Sequence, residues 1–105
     1  MAEIWTVSDW SIGDADPATF VAAFQRFADG ATARGGAHEG MILQDADDPK
    51  HFVVVRRWES PEAVTDWGKE QHQHSGELRS LGLEARSAAV MTKMADLGAG
   101  GSETA

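Results

Sequence analysis

Two tryptophans, Trp58 and Trp67, are the residues best placed to build a site for chemistry in this chain. Trp58 ends an apolar run, residues 51–58, that predicts a β-strand. Ser60 then predicts the start of a helix, with Pro61 at its first position, and Trp67 follows a turn and a half later. Two large aromatic rings therefore lie where a sheet meets a helix, which favours a pocket for a small molecule.

His74 is the candidate base beside these rings. With successive side chains about 100° apart around a helix, His74 lies two turns beyond Trp67 on the face expected to pack on the sheet, and His72 points well away from it. Imidazole changes its charge near neutral pH, which suits proton abstraction. The alternative is a partly buried histidine bonded to a backbone carbonyl, or one beyond a helix break at Gly76. The predicted stripe comprises Val64, Trp67, Gln71, His74, Leu78 and Leu81.

Arginines on predicted strands are the candidate stabilisers of a developing negative charge. Arg56 and Arg86 are the two considered for this role, since a cation in a cavity would stabilise an enolate or peroxide anion. Adjacent strand residues face opposite sides, so at most one of Arg56 and Arg57 points into such a cavity. Ion pairs at a sheet edge are the alternative for both candidates.

Composition excludes several classes of protein. The 105 residues carry 17 acidic against 9 basic side chains, a net charge of −8, so nucleic acids and anionic membranes are unsuitable partners. The chain contains no cysteine, and its histidines and carboxylates lack the spacing of a metal site, so we expect no bound metal. No apolar stretch is long enough to span a membrane, and we expect a soluble, cytoplasmic protein.

The order of the predicted elements indicates an α+β, ferredoxin-like βαββαβ fold. Two helices would cover one face of a four-stranded antiparallel sheet. We expect one domain over residues 1–97 and a flexible tail over 98–105. The predicted strands are 3–12, 40–44, 51–58 and 83–94, and the predicted helices run from Asp16 to Gly35 and from Ser60 to about Leu81, with Ser75-Gly76 as a possible earlier end.

The second face of this sheet is also apolar. Phe52 and Val54 point to one side of the third strand, and Val53 and Val55 point to the other. A sheet that is apolar on both faces needs a second cover, so we expect a homodimer in which two sheets pack face to face.

The strand HFVVVRRW, the stretch WESPEAVTDW and the Asp-Asp-Pro turn resemble those of the antibiotic biosynthesis monooxygenase family, small proteins of the dimeric α+β barrel type. The resemblance extends from about Ile4 to Met94 and implies that Trp67 lines a ligand cavity. Oxygenases of this family often use a pocket tyrosine and asparagine, and this chain contains neither. Packing in the core is the alternative role for Trp67.

The family resemblance implies a cofactor-independent monooxygenase that oxidises a small aromatic, polyketide-type substrate with O₂. The alternatives are a haem-binding or haem-degrading monooxygenase, with His74 as a displaced axial ligand, and a non-catalytic barrel that binds a hydrophobic metabolite. The expected catalytic residues are His74, Trp67, Arg86 and Arg56. The expected substrate-binding residues are Trp67, Gln71, Phe24, Phe20, Trp10 and Trp58, although Phe20 and Phe24 belong to a helical stripe that is more typical of a core.

Overall fold

The computed structural model describes residues 3–83 and 85–99, and these form four strands and three helices. These elements follow the predicted βαββαβ order, except that the second helix is divided into two helices. The elements are β1 (Ile4–Ser11), α1 (Pro17–Arg34), β2 (Ala37–Gln44), β3 (His51–Trp58), α2 (Pro61–His74), α3 (Gly76–Ser80) and β4 (Ala85–Thr92). Residues 100–105 of the predicted tail lie outside the described residues.

The strands form an antiparallel sheet in the order β2-β3-β1-β4. In the central pair, Ile4 lies opposite Trp58 and Trp10 lies opposite Phe52. Side chains alternate across a strand, so these residues share one face, and all four are buried beneath the helices. The helices therefore cover this face of the sheet, as the sequence predicts.

Capping residues fix where the two long helices begin. The carboxylate of Asp16 accepts a hydrogen bond from the backbone N–H of Thr19 at 3.1 Å, and Ser60 Oγ accepts from that of Ala63 at 3.1 Å. A proline follows each cap at the first helical position, where no N–H is needed. At the other end of α1, Gly35 has φ 95°, a conformation that favours glycine and stops the helix. These predicted boundaries are confirmed.

The second helix ends earlier than Leu81, at the alternative position that Ser75-Gly76 provides. α2 stops at His74, and the chain re-forms a short helix, α3, that turns Leu78 into the core. The carbonyl of His72 accepts hydrogen bonds from Ser75 Oγ at 3.2 Å and from Arg79 Nη2 at 2.9 Å. These bonds satisfy a terminal carbonyl of α2 and hold the bend.

The second strand is longer than predicted. It starts at Ala37, and its pairing with β3 shifts register between Ala37 and Gly40. A Cβ atom on Gly40 would lie 2.3 Å from the carbonyl oxygen of Val55, so only glycine fits this close approach of two backbones. The short apolar run after Gly40 therefore predicts only the part of β2 that pairs regularly with β3, and not the part before the register shift.

The face of the sheet away from the helices is apolar and uncovered in the single chain. Trp5, Val7 and Val55 are half-buried there, and Met41 at the edge is 56% exposed. This settles which tryptophan of β1 faces the helices: Trp10 does, and Trp5 lies on the opposite face. Among the described residues, no helix has both the length and the apolar character required to cross a membrane.

Candidate functional site

A cavity of about 470 Å³ lies between the helices and the sheet. This volume is within the range of roughly 300–1,000 Å³ that is usual for small-molecule sites. Its buried wall includes four aromatic side chains, each no more than 7% exposed, and its more open rim includes polar residues of α2, α3 and the bend between them. The aromatic wall is Trp10, Phe24, Trp58 and Trp67, and the polar rim is Gln71, His72, Ser75 and Arg79.

Two hydroxyl groups of β1 fix the indole rings at the floor of the cavity. Trp58 Nε1 donates a hydrogen bond to Thr6 Oγ1 at 2.9 Å, and Trp10 Nε1 donates to Ser8 Oγ at 2.9 Å. The indole N–H groups are therefore satisfied, and the rings present carbon surface to the cavity. Thr6 and Ser8 both line the cavity. The sequence interpretation missed them, although their even numbering on β1 is the signal that places them beside Trp10.

Trp67 is held between two other rings. Its indole lies 5.5 Å from the ring of Phe27 and 5.1 Å from the imidazole of His74, measured between centroids. His74 is stacked on it, with the two planes inclined by 27°. Gly30 of α1 leaves room for this pair, since a Cβ there would lie 3.1 Å from both His74 Nδ1 and Trp67 Cη2. Trp67 therefore serves both of its expected roles, because it packs in the core and lines the cavity.

His74 does not lie on the cavity face of α2, and His72 does. The expected position of His74 beside Trp67 is found, but its expected place at the site is not: His72 lines the cavity, whereas His74 packs against Trp67 and α1. At 100° per residue, the lining arc of α2 runs about 140° from Trp67 to His72, and His74 lies about 20° beyond its Trp67 end. The predicted sheet-facing stripe of α2 is centred on Trp67. In the structure Trp67 lies at one edge of the arc that lines the cavity, because α2 also packs on α1.

The two arginine candidates are placed differently. Arg56 lines the cavity, and its guanidinium donates to the carbonyl of His38 at 2.9 Å and to that of Ala28 at 3.0 Å. Burial lowers the pKa of Arg56, and the nearby carboxylate of Asp29 partly offsets this. Arg86 is exposed and outside the lining residues, because β4 is an edge strand whose register shifts beside it.

The structure thus brings most of the predicted site residues to one cavity. Leu78 and Leu83 complete its wall from the α3 side. Phe20 is fully buried in the core and does not reach the cavity. The predicted residues that line the cavity are Trp67, Gln71, Phe24, Trp10, Trp58 and Arg56, and those that do not are His74, Arg86 and Phe20.

Residues 13–76, which include α1, β2, β3 and the whole of the cavity-lining helix α2, match the family model described as antibiotic biosynthesis monooxygenase. This match covers more than half of the chain. The chain belongs to the antibiotic biosynthesis monooxygenase family. The expected family is confirmed, and with it the assignment to monooxygenases as an enzyme class.

Solved structures share the fold at low sequence identity. SnoaB from Streptomyces nogalater, described as a cofactor-independent oxygenase, is 20% identical, with a TM-score of 0.78 over 92% of this chain and 98% of that chain. A putative antibiotic biosynthesis monooxygenase from Bordetella bronchiseptica is 13% identical, with a TM-score of 0.72 over 92% of this chain and 100% of that chain. One from Nitrosomonas europaea is 15% identical, with a TM-score of 0.70 over 91% and 94%. No curated protein shows a significant sequence match to the chain.

Proposed function

We propose that the protein is a cofactor-independent monooxygenase that oxidises a small, electron-rich aromatic substrate of polyketide type with O₂. The observation that carries this proposal is an aromatic cavity of about 470 Å³ with an imidazole, that of His72, at its rim. Membership of the antibiotic biosynthesis monooxygenase family supports the reaction class. The structural similarity to SnoaB, which is described as cofactor-independent, supports a reaction that needs no cofactor.

The chemistry needs only a base, an apolar slot and a stabilised anion. In an anthrone-type substrate, a base removes one proton from the ring CH₂ group, and the remaining electron pair is delocalised over the aromatic rings. The carbanion reduces O₂ and forms a C–O bond, which gives a hydroperoxide after protonation. Loss of the second C–H proton with cleavage of the O–O bond leaves a ketone and releases water. One O₂ is consumed for each CH₂ converted to C=O, and no outside reductant is required.

The cavity residues divide these tasks by their chemistry. The indoles of Trp10, Trp58 and Trp67 form the walls that hold a flat substrate and exclude water. We assign the base to His72, since it is the histidine among the lining residues. The charge that stabilises the anion is assigned to Arg56, which lines the same cavity.

We propose that His74 and Arg86 contribute indirectly, without contacting the substrate. His74 acts through Trp67, because its ring stacks on the indole and holds that wall of the cavity. Arg86 lies on the edge strand β4, close in sequence to Ala85 and Ala88, which line the cavity. It would act on the substrate only by long-range attraction.

We also propose that the protein functions as a homodimer, with the uncovered sheet faces packed together. Trp5, Val7 and Val55 lie in adjacent positions on that face, since β1 pairs Trp5 with Arg57 and Val7 with Val55. Met41 extends the apolar surface across β2. A single chain of this size gains stability by burying such a surface against a second copy.

Oxygen consumption with a panel of anthrones tests the enzymatic proposal. Uptake above the spontaneous rate, with one O₂ consumed for each quinone formed, supports it. A haemin titration in the same buffer tests the haem alternative, which requires a Soret band that is lost when the axial histidine is replaced. Saturable binding of aromatic ligands without either signal would leave the non-catalytic barrel as the function.

A further inference from the structure

The cavity has a charge of opposite sign to the rest of the molecule. The chain has 17 acidic and 9 basic side chains, so its average field repels anions. Among the described residues, the cavity lining contains Arg56, Arg79 and His72, and it contains neither aspartate nor glutamate. A positive charge bordered by apolar surface acts more strongly than one in bulk water, because the local dielectric constant is lower. The cavity therefore favours an anion more than the average surface of this protein does.

The hydrogen bonds of the two arginines show which of them has donors left for a ligand. Arg56 donates through all three nitrogens, to the carbonyls of His38 and Ala28 and to the hydroxyl of Thr32. A guanidinium has five N–H groups. Arg79 uses one of them, from Nη2 to the carbonyl of His72, and its guanidinium makes no other hydrogen bond within the part of the chain that the structure describes. Arg79 is therefore the arginine able to bind an anion in a bidentate manner.

Arg79 differs from the other arginines of the helices in its ion pairing. Arg26 pairs with Glu77, and Arg34 pairs with Glu70. Over residues 3–83 and 85–99, no carboxylate forms an ion pair with Arg79. Among the described residues the charge of Arg79 is thus not neutralised by an ion pair, although acidic residues outnumber basic ones almost two to one in the chain.

The position of Arg79 at the rim suits a substrate with two chemically different ends. The preceding residue, Leu78, is 2% exposed and anchors α3 in the core beside Phe24. Arg79 itself is exposed and lines the cavity together with Ser75 and Gln71. The aromatic wall lies inside and the guanidinium of Arg79 lies at the mouth, so a flat aromatic body would enter first and a charged group would remain at the rim.

We propose that Arg79 recognises an ionised carboxylate on the aromatic substrate and determines the specificity of the cavity for acidic aromatic compounds. The planar guanidinium matches a carboxylate with two parallel N–H···O bonds, which an ammonium group cannot reproduce. This inference rests on the proposed function only in taking the cavity as the substrate site. It concerns binding and requires no turnover.

Two ligands of the same shape test the proposal: naphthalene-2-carboxylate and naphthalene-2-carboxamide, which differ in charge. Their affinities are measured by calorimetry at low ionic strength. We expect the wild type to prefer the carboxylate by about tenfold, a size typical of charge-assisted hydrogen bonds at a partly exposed site. Arg79→Gln should lose this preference and bind the carboxamide within about twofold of wild type, which shows that the cavity is intact. Arg79→Lys should retain part of the preference.

Lys69→Gln is the matched control, since it removes one positive charge from an exposed α2 residue outside the cavity lining. It should leave the preference unchanged. Added salt should reduce the wild-type preference, a result that does not depend on any variant folding. Equal affinities for the two ligands, no binding of either, or a preference that survives in Arg79→Gln or in high salt would each overturn the proposal. A carboxylate preference without oxygen uptake from anthrones would contradict the oxygenase alone, and oxygen uptake without the preference would contradict this inference alone.

Discussion

Trp67 and His74 stack with their ring centroids 5.1 Å apart, on the side of α2 that faces α1. This relationship separates the two histidines of α2 by function, although they are two residues apart. His72 lines the cavity, and His74 supports the outer surface of one of its walls. The arrangement depends on Gly30, whose missing side chain leaves space for both rings.

Gly30→Ala should gain less stability than Gly68→Ala. Alanine normally stabilises a helix by about 0.5–1 kcal/mol relative to glycine. At Gly68 in α2, a Cβ meets nothing within 4 Å, so we expect the full gain. At Gly30 it would lie 3.1 Å from both His74 and Trp67, so these rings must move and the gain should be reduced or reversed. Urea unfolding measures both free energies, and equal gains would show that Trp67 and His74 are not tightly held.

Stability should depend on pH through His51, which lies between two carboxylates on the uncovered face of the sheet. Its Nδ1 lies 2.8 Å from Asp45 and its Nε2 lies 2.9 Å from Asp9. The hydrogen bond to Asp45, with a smaller contribution from Asp9, raises the pKa of His51 above 6.5, and the same bond lowers the pKa of Asp45 below 3.8. Both charged forms are therefore favoured by folding.

The raised pKa of His51 contributes stability that is fully present below about pH 6.5 and is lost as pH rises through the folded value. The lowered pKa of Asp45 contributes stability that is lost as pH falls through its folded value. The free energy of unfolding of wild type should exceed that of His51→Gln most at about pH 5–6, and the difference should shrink by about pH 9. Unfolding at one fixed protein concentration measures this. A difference that grows toward pH 9 would contradict the assignment.

Val55→Lys should convert the proposed dimer to a monomer. Val55 lies opposite both Val7 and Met41 in the middle of the uncovered face, so a lysine there places a charge at the centre of the proposed interface. Light scattering after size exclusion gives the mass, and circular dichroism checks that the fold is retained. A monomeric wild type at micromolar concentration, or a dimeric Val55→Lys, would reject the proposed interface.

The fold could be predicted from sequence because its signals are local. The strand from His51 to Trp58 has the predicted bounds, since its apolar run is ended by turn residues at one side and a helix start at the other. Asp16 and Ser60 mark the helix starts through side-chain bonds that span three residues. Such features do not depend on how the layers pack.

The site could be predicted only in part, because it depends on packing between elements. Trp67 and Trp58 are large apolar residues whose burial follows from their type, and both line the cavity. The direction of His72 and His74 depends on how α2 divides its contacts between α1 and β3, which periodicity does not reveal. Arg79 was not singled out because its position requires the bend at Ser75.

The most direct test of the oxygenase proposal is oxygen consumption by wild type, His72→Gln and His74→Gln with one anthrone, each corrected for spontaneous oxidation. We predict uptake by the wild type, a fall of about 100-fold or more in His72→Gln, because it removes the base, and a fall of less than about tenfold in His74→Gln, which removes only the support of Trp67. No uptake by the wild type would contradict the oxygenase. Full activity in His72→Gln with loss in His74→Gln would contradict the assignment of the base.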